Sequence, residues 1–407
     1  MVKAGWDKET VAIYELLFFA AHLLSFAWST GVNNALLAYY HTQDQDRAGD
    51  ILFNAAALLF SLAVVVVILF LTFKSSILNL ITDKADLPYA HWIGLYLFCS
   101  PVTVLIQSVY LLRDEPQKIT RYTHIIFLLQ LCIITVAVLI LGTVQALVIG
   151  IVLWSVIRFI WLLAVLTSYS SGRFDNLMFK AFAWFSVPLI LQFALSSGME
   201  YVDGIIVNQY FDSQSFPIFR YGSRELPITM ILVVALSSAM IPLAVKDLES
   251  TLSEIKERTK RLIHFLFPLS IILILISPYV YSLVYSEAYR ASAQLFNIYL
   301  LILSSRILLP HVVMYAKQRN VALLKMSIVE LIINVGLSIW WAQSMGLAGI
   351  AYATVVANVS YSLMMIGYNR YILNIPSKSY IPWKAYSFYM ILLVGTFILS
   401  MQIHDYG

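Results

Sequence analysis

Glu200 and Asp203 are two carboxylates in a long apolar run, and their spacing of three residues puts them on one face of a helix. A charge at the centre of a membrane-spanning helix costs about 2.5–3.5 kcal/mol on insertion scales, so such residues need a function or a partner. The functional interpretation is a site for a coupling proton or Na⁺, which intramembrane carboxylates form in transporters. The alternative interpretation is neutralisation by a neighbouring arginine.

Four arginines are candidates for binding an anion. Arg158 and Arg306 lie in the middle of two other apolar runs, too deep for their guanidinium groups to reach the lipid headgroups easily. Arg220 and Arg224 precede a further apolar run and are four residues apart, a spacing that is unfavourable for like charges unless an anion lies between them. Two interpretations stay open for all four: contact with an anionic substrate group, or a structural role as ion pairs and headgroup anchors.

The composition is typical of a membrane protein. Of 407 residues, 60% are hydrophobic and 12% are charged, and the mean hydropathy is +0.81. Soluble domains have roughly 45–50% apolar and about 25% charged residues, so we expect a polytopic membrane protein and no nucleic-acid partner. Both cysteines, Cys99 and Cys132, lie inside apolar runs and predict no disulfide framework.

No motif for catalysis or cofactor binding occurs in the sequence. It contains no glycine-rich nucleotide loop, no cluster of metal ligands and no pairing of a nucleophile with a base. We therefore expect no enzymatic activity, no cofactor and no bound metal.

Apolar runs of about 20 residues, long enough to cross a hydrocarbon core of roughly 30 Å, predict an all-α fold of about twelve transmembrane helices. The predicted spans are Val11–Tyr39, Ile51–Phe73, His91–Leu112, Tyr122–Leu141, Ala146–Ser168, Ala181–Tyr210, Gly222–Val245, Leu262–Tyr285, Ala293–Ala316, Val321–Gln343, Leu347–Tyr368 and Ala385–Gln402. The loops after odd-numbered spans carry more than twice as many Lys and Arg residues as the opposite loops. The positive-inside rule therefore predicts that both termini face outward.

The chain shows an internal repeat. A shift of about 205 residues aligns Val11–Tyr39 with Phe216–Val245 and places Gly142 close to Gly346, with five helices in phase, as in parallel repeats of transporters. On this interpretation the second repeat begins with the helix Ala181–Tyr210, which has no equivalent helix in the first repeat. We therefore predict an N-terminal lobe over residues 1–170, a C-terminal lobe over 181–368, an extra helix over 369–407, and the absence of the first helix of a six-helix repeat.

The region from Phe185 to Lys246 carries a resemblance. Pro188 and Asp203 mark the two ends of an apolar helix, the polar segment Tyr210-Phe211-Asp212 to Glu225-Leu226-Pro227 follows, and a run of small residues ends in Ile241-Pro242-Leu243. This pattern resembles the second lobe of polysaccharide and lipid-linked-oligosaccharide flippases. These belong to the multidrug/oligosaccharidyl-lipid/polysaccharide (MOP) exporter superfamily, which normally begins with one further helix.

The resemblance implies two six-helix lobes that open alternately to either side of a bacterial inner membrane. The monomeric transporter would move a polyprenyl-diphosphate-linked oligosaccharide, such as an O-antigen or exopolysaccharide repeat unit, to the outer leaflet. Arginine binds phosphate through two parallel hydrogen bonds, so Arg158, Arg306, Arg224 and Arg220 would hold the diphosphate or sugars. Asp203 and Glu200 would bind the coupling ion.

Two other functions remain open from the sequence. An ion-coupled multidrug exporter of the same fold would favour an acidic, aromatic cavity for cationic drugs, whereas the residues proposed here include at least as many arginines as carboxylates. A polysaccharide polymerase or glycosyltransferase would place catalytic acids on sizeable outer loops, and the predicted loops are short.

Overall fold

The computed structural model describes residues 5–40 and 47–403, apart from the side chains of Ser196, Ser197, Met199 and Glu200. Every regular element in this part of the chain is helical, as predicted. The residues divide into two compact units, Met1–Tyr201 and Val202–Gly407.

The first unit contains seven helices and most of an eighth. They are α1 (Lys8–Tyr40), α2 (Ala48–Thr72), α3 (Lys74–Thr82), α4 (His91–Cys99), α5 (Leu105–Leu112), α6 (Pro116–Thr135), α7 (Val144–Tyr169) and α8 (Asn176–Tyr210), whose last residues belong to the second unit. A short 3₁₀ turn at Pro101–Val104 joins α4 to α5, and π-helical Val136–Leu141 continues α6. Proline has no N–H to donate, which accounts for the break after α4.

The second unit contains the remaining helices. They are α9 (Ser215–Gly222), α10 (Pro227–Lys246), α11 (Leu248–Val284), α12 (Arg290–Leu300), α13 (Leu303–Arg306), α14 (Pro310–Ala316), α15 (Asn320–Tyr371) and α16 (Trp383–Ile403). The segments Glu287–Arg306 and Pro310–Ala316 together form one broken span with a bend of 41°. Leu309, with φ +53°, and Pro310 interrupt the helical hydrogen bonding at this bend.

The helix α15 is a hairpin of two spans. Gly346 has φ +63° and ψ −146°, a conformation available essentially to glycine alone. Asn334 and Thr354 are 20 residues apart, about 30 Å in a straight helix, yet their side chains are hydrogen-bonded at 3.1 Å. Ten helices of the described chain are long and apolar enough to span a membrane, or eleven with the bent pair. Counting the halves of α15 separately gives the twelve spans predicted.

The first half of α8 packs within the first unit. A Cβ added to Gly31 on α1 would lie 2.5 Å from the Cα atom of Ile190 on α8, so only glycine permits this close approach. Phe182 on α8 is buried in the core of the first unit and contacts the ring of Tyr39. The boundary between the two compact units lies inside α8, after Tyr201.

Equivalent hydrogen bonds support the internal repeat. In the first unit the Ser108 hydroxyl on α5 donates to Asn33 Oδ1 on α1 at 2.7 Å. In the second unit Ser237 on α10 and His311 on α14 form a hydrogen bond of the same length, at positions shifted by about 205 residues.

The same shift relates α8 to α16. Asn54 on α2 contacts Met178 at the start of α8, and α16 packs on α11, the helix that corresponds to α2. This pairing differs from the predicted one, which gave Ala181–Tyr210 no partner. The assignment of residues 1–170, 181–368 and 369–407 to separate lobes stays a prediction.

Candidate functional site

Arg158 lies in the middle of α7, in the first unit, as the sequence predicted. Its Nε–H group donates to the Tyr122 hydroxyl at 3.2 Å, and the guanidinium carbon lies 4.5 Å from the centre of the Trp154 ring. A cation over an aromatic face is stabilised without a counter-ion. No carboxylate of the described chain lies within ion-pair distance of Arg158.

Aromatic and polar contacts continue from Arg158 toward one end of the first unit. The Trp161 indole donates to the Tyr110 hydroxyl at 3.1 Å, and both rings pack against further tyrosines. At the end of this series the Lys118 ammonium donates to Glu115 at 2.8 Å, and the Tyr169 hydroxyl donates to the same carboxylate. The hydrogen bond from Lys118, with a second from Tyr169, lowers the pKa of Glu115.

Asp203 is the centre of a buried polar network in the second unit. Its side chain is 2% exposed, and its Oδ2 atom accepts a hydrogen bond from the Thr354 hydroxyl at 2.6 Å. The Tyr299 hydroxyl donates to the same oxygen at 3.3 Å, and the Asn334 amide donates to the Thr354 hydroxyl at 3.1 Å. The hydroxyl groups of Thr354 and Tyr299 thus hold one oxygen of this carboxylate.

The network presents oxygen atoms that suit a small hard cation. Asn334 is fully buried, and its Oδ1 atom accepts no hydrogen bond from the described chain. Carboxylate, amide and hydroxyl oxygens are the ligands that hard cations prefer. The described residues contain no cluster of three or more His, Cys, Asp or Glu side chains that could hold a metal ion.

Arg306 ends the short helix α13 at the break of the ninth span. Its Nη2 group forms an ion pair of 2.7 Å with Glu225, which lies between α9 and α10. Glu330, on the first half of α15, is buried and interacts with Arg306 electrostatically without forming an ion pair. Arg306 therefore forms an ion pair, and its carboxylate partner is Glu225.

The other predicted site residues lie on α8, on α9 and just beyond the end of α9. Arg220 is half-buried in the last turn of α9, whereas Arg224 is exposed beyond the end of that helix and interacts electrostatically with Tyr281. Glu200 lies on α8, and its side chain is outside the described residues.

Thr354, Asn334 and Tyr299 are site residues that were missed from the sequence. The signal available in the sequence was a set of polar residues, spaced four apart, on each half of α15. These residues are Glu330, Asn334 and Ser338 on the first half, and Thr354, Asn358 and Ser362 on the second. Residues four apart lie on one helical face, and all six are buried, so each half directs a polar stripe into the second unit.

The chain matches a protein family and several solved structures. Residues 11–294 match the family model described as polysaccharide biosynthesis protein. No curated protein sequence matches this chain.

Solved structures share the fold at low identity. A lipid II flippase, MurJ, in an inward closed conformation superposes with a TM-score of 0.74 at 16% identity, covering 98% of this chain and 93% of the flippase. An inward-facing multidrug resistance MATE family transporter of the MOP superfamily matches with a TM-score of 0.65 at 14% identity, covering 91% and 92% of the two chains. A MOP superfamily transporter from Pyrococcus furiosus matches with a TM-score of 0.57 at 15% identity, covering 92% and 90%. The chain thus has the fold of MOP superfamily transporters, and it belongs to the polysaccharide biosynthesis protein family.

Proposed function

We propose that this protein flips a polyprenyl-diphosphate-linked oligosaccharide across the bacterial inner membrane by alternating access. The family match supports a role in polysaccharide biosynthesis, and the observation that carries the proposal is Arg158. A midspan guanidinium that is held by a hydroxyl and an aromatic face, with no carboxylate among the described residues beside it, keeps its charge for an anionic group. A diphosphate is an anion of this kind.

The second unit is proposed to contact the diphosphate or the sugars through Arg306, Arg224 and Arg220. Arg306 retains a buried Nε–H group that donates no hydrogen bond to the described chain, although Glu225 neutralises its charge. A phosphate would have to compete with Glu225 for this arginine. This competition offers a means by which substrate binding loosens the contact between α13 and the segment ahead of α10.

Asp203, with Glu200, is proposed to bind the coupling proton or Na⁺. Asp203 and Thr354 are hydrogen-bonded through their side-chain oxygens, the Asn334 amide donates to Thr354, and the buried Oδ1 atom of Asn334, which accepts no hydrogen bond from the described chain, supports a cation in this network. The same network is the observation that favours a second candidate function, an ion-coupled multidrug exporter. We further propose a monomer with the N-terminus outside, as the distribution of Lys and Arg indicates.

The test uses cells in which this protein is the sole route for exporting a surface polysaccharide. Arg158→Ala and Arg306→Ala should each abolish surface polysaccharide while the membrane abundance of the protein stays unchanged. Arg121→Ala is the matched control, because Arg121 is exposed near the start of α6.

Wild-type levels of surface glycan in both variants would contradict the proposed role of these arginines. The exporter alternative makes a different prediction. It requires that expression raises drug resistance, that Asp203→Asn abolishes this resistance, and that Arg158→Ala leaves it unchanged.

A further inference from the structure

A cavity of about 440 Å³ opens at the C-terminal end of α11, within the second unit. Its volume lies inside the range of roughly 300–1,000 Å³ that is typical of small-ligand sites. None of the lining residues belongs to the networks around Asp203 or Arg306. They are Pro278, Tyr279, Ser282, Leu283, Glu287 and Arg290.

The cavity lies where the exposed apolar surface of α11 ends. Ile272, Ile276, Tyr279 and Leu283 follow the i, i+4, i+7, i+11 spacing of one helical face, and all four are exposed, Tyr279 by 69% and Leu283 by 76%. An exposed apolar stripe on a transmembrane helix is a surface that suits acyl chains. After Val284 the chain becomes polar. Tyrosine at the end of a membrane span is typical of the headgroup region. A ligand here would extend from the headgroup layer.

Two opposite charges line the polar side of the cavity. Glu287 and Arg290 are three residues apart, yet in the described part of the chain the side chain of neither forms an ion pair or a hydrogen bond. Arg290 also begins α12, whose first turn presents the positive end of the helix dipole. The cavity therefore provides a cation for a phosphate and, one turn away, a carboxylate for an ammonium group.

We propose that this cavity binds the headgroup of phosphatidylethanolamine. Its phosphate would contact Arg290, its ammonium group would donate hydrogen bonds to Glu287, and its acyl chains would lie along the exposed stripe of α11. Phosphatidylglycerol offers no cation to Glu287, and the quaternary ammonium of phosphatidylcholine has no N–H to donate. The inference does not depend on the identity of the transported cargo. In the orientation proposed above, the site faces the outer leaflet.

The test measures lipid retained by the purified full-length chain. Protein in detergent is incubated with equal amounts of phosphatidylethanolamine, phosphatidylglycerol and phosphatidylcholine carrying identical acyl chains, and bound lipid is quantified by native mass spectrometry. The wild type should retain phosphatidylethanolamine about tenfold over each competitor, which corresponds to roughly 1.4 kcal/mol. Glu287→Gln should bring this ratio close to one, and Arg290→Gln should lower the retention of phosphatidylethanolamine about tenfold.

Glu254→Gln is the control for the loss of one carboxylate. Glu254 lies on the opposite end of α11 and forms an ion pair with Arg258, so this variant should keep the wild-type lipid ratio. Equal retention of the three lipids by the wild type, preference for phosphatidylglycerol, or an unchanged ratio in Glu287→Gln would each overturn the proposal. Displacement of phosphatidylethanolamine by a soluble oligosaccharide would overturn it as well, because the cavity would then be a glycan site.

Discussion

Replacing Thr354 by valine tests the buried network around Asp203. Valine has nearly the same shape as threonine, so packing is kept while the hydroxyl is removed. The variant loses the 2.6 Å hydrogen bond to Asp203 and the 3.1 Å hydrogen bond from Asn334. Both partners are buried and would lose a contact that water cannot replace.

The expected cost follows from these two hydrogen bonds. An unsatisfied buried polar group costs about 1–3 kcal/mol in soluble proteins. Within membranes, measured side-chain hydrogen bonds average about 0.6 kcal/mol, with a maximum of about 1.7, because the unfolded chain in the membrane also finds partners. The membrane values apply to α15, so Thr354→Val should lower the free energy of unfolding by about 1–3 kcal/mol.

Unfolding by denaturant in detergent micelles measures this difference. Thr354→Ser is the matched control, since it keeps the hydroxyl and removes only a methyl group, and it should be the more stable of the two variants. A double-mutant cycle with Asn334→Leu should give a coupling energy of about 0.5–1 kcal/mol between the two positions. A valine variant as stable as the wild type, or no less stable than the serine variant, would contradict the role assigned to the Thr354 hydroxyl.

Two further predictions concern the first unit. Gly31→Ala should destabilise the protein by about 1–3 kcal/mol in the same assay, because the new Cβ would lie 2.5 Å from the Ile190 Cα atom. Gly336→Ala is the control and should not destabilise the protein, because its Cβ would meet no atom within 4 Å. Equal stability of the two alanine variants would show that α1 and α8 are not in close contact. The pKa of Asp175 is lowered by the backbone N–H three residues on and by Arg47. The stability that its carboxylate contributes is therefore present above the ordinary pKa of 3.8 and is lost as the pH falls through the lower pKa of the folded state. The stability difference between wild type and Asp175→Asn should shrink on acidification from pH 6. A difference independent of pH would contradict this assignment.

The sequence by itself determined the features that depend on neighbouring residues. Span length and the apolar composition of each run are local properties. Gly142 and Gly346 both lie between predicted spans, and both have φ +63°. The family could also be recognised, because a consecutive pattern between Phe185 and Lys246 carries it. Helix order and the repeat followed from the same local information.

The partners of the buried charges were decided only by the tertiary structure. Asp203 contacts Tyr299 and Thr354, which are 96 and 151 residues away, and Arg306 contacts Glu225, which is 81 residues away. One apolar sequence pattern is compatible with several rotations of a helix about its axis and several shifts along it. The pattern therefore specifies which face is buried but not which residue lies opposite. The opposing residue is selected when helices pack, because a buried polar atom is stabilised only by a donor or acceptor within about 3 Å.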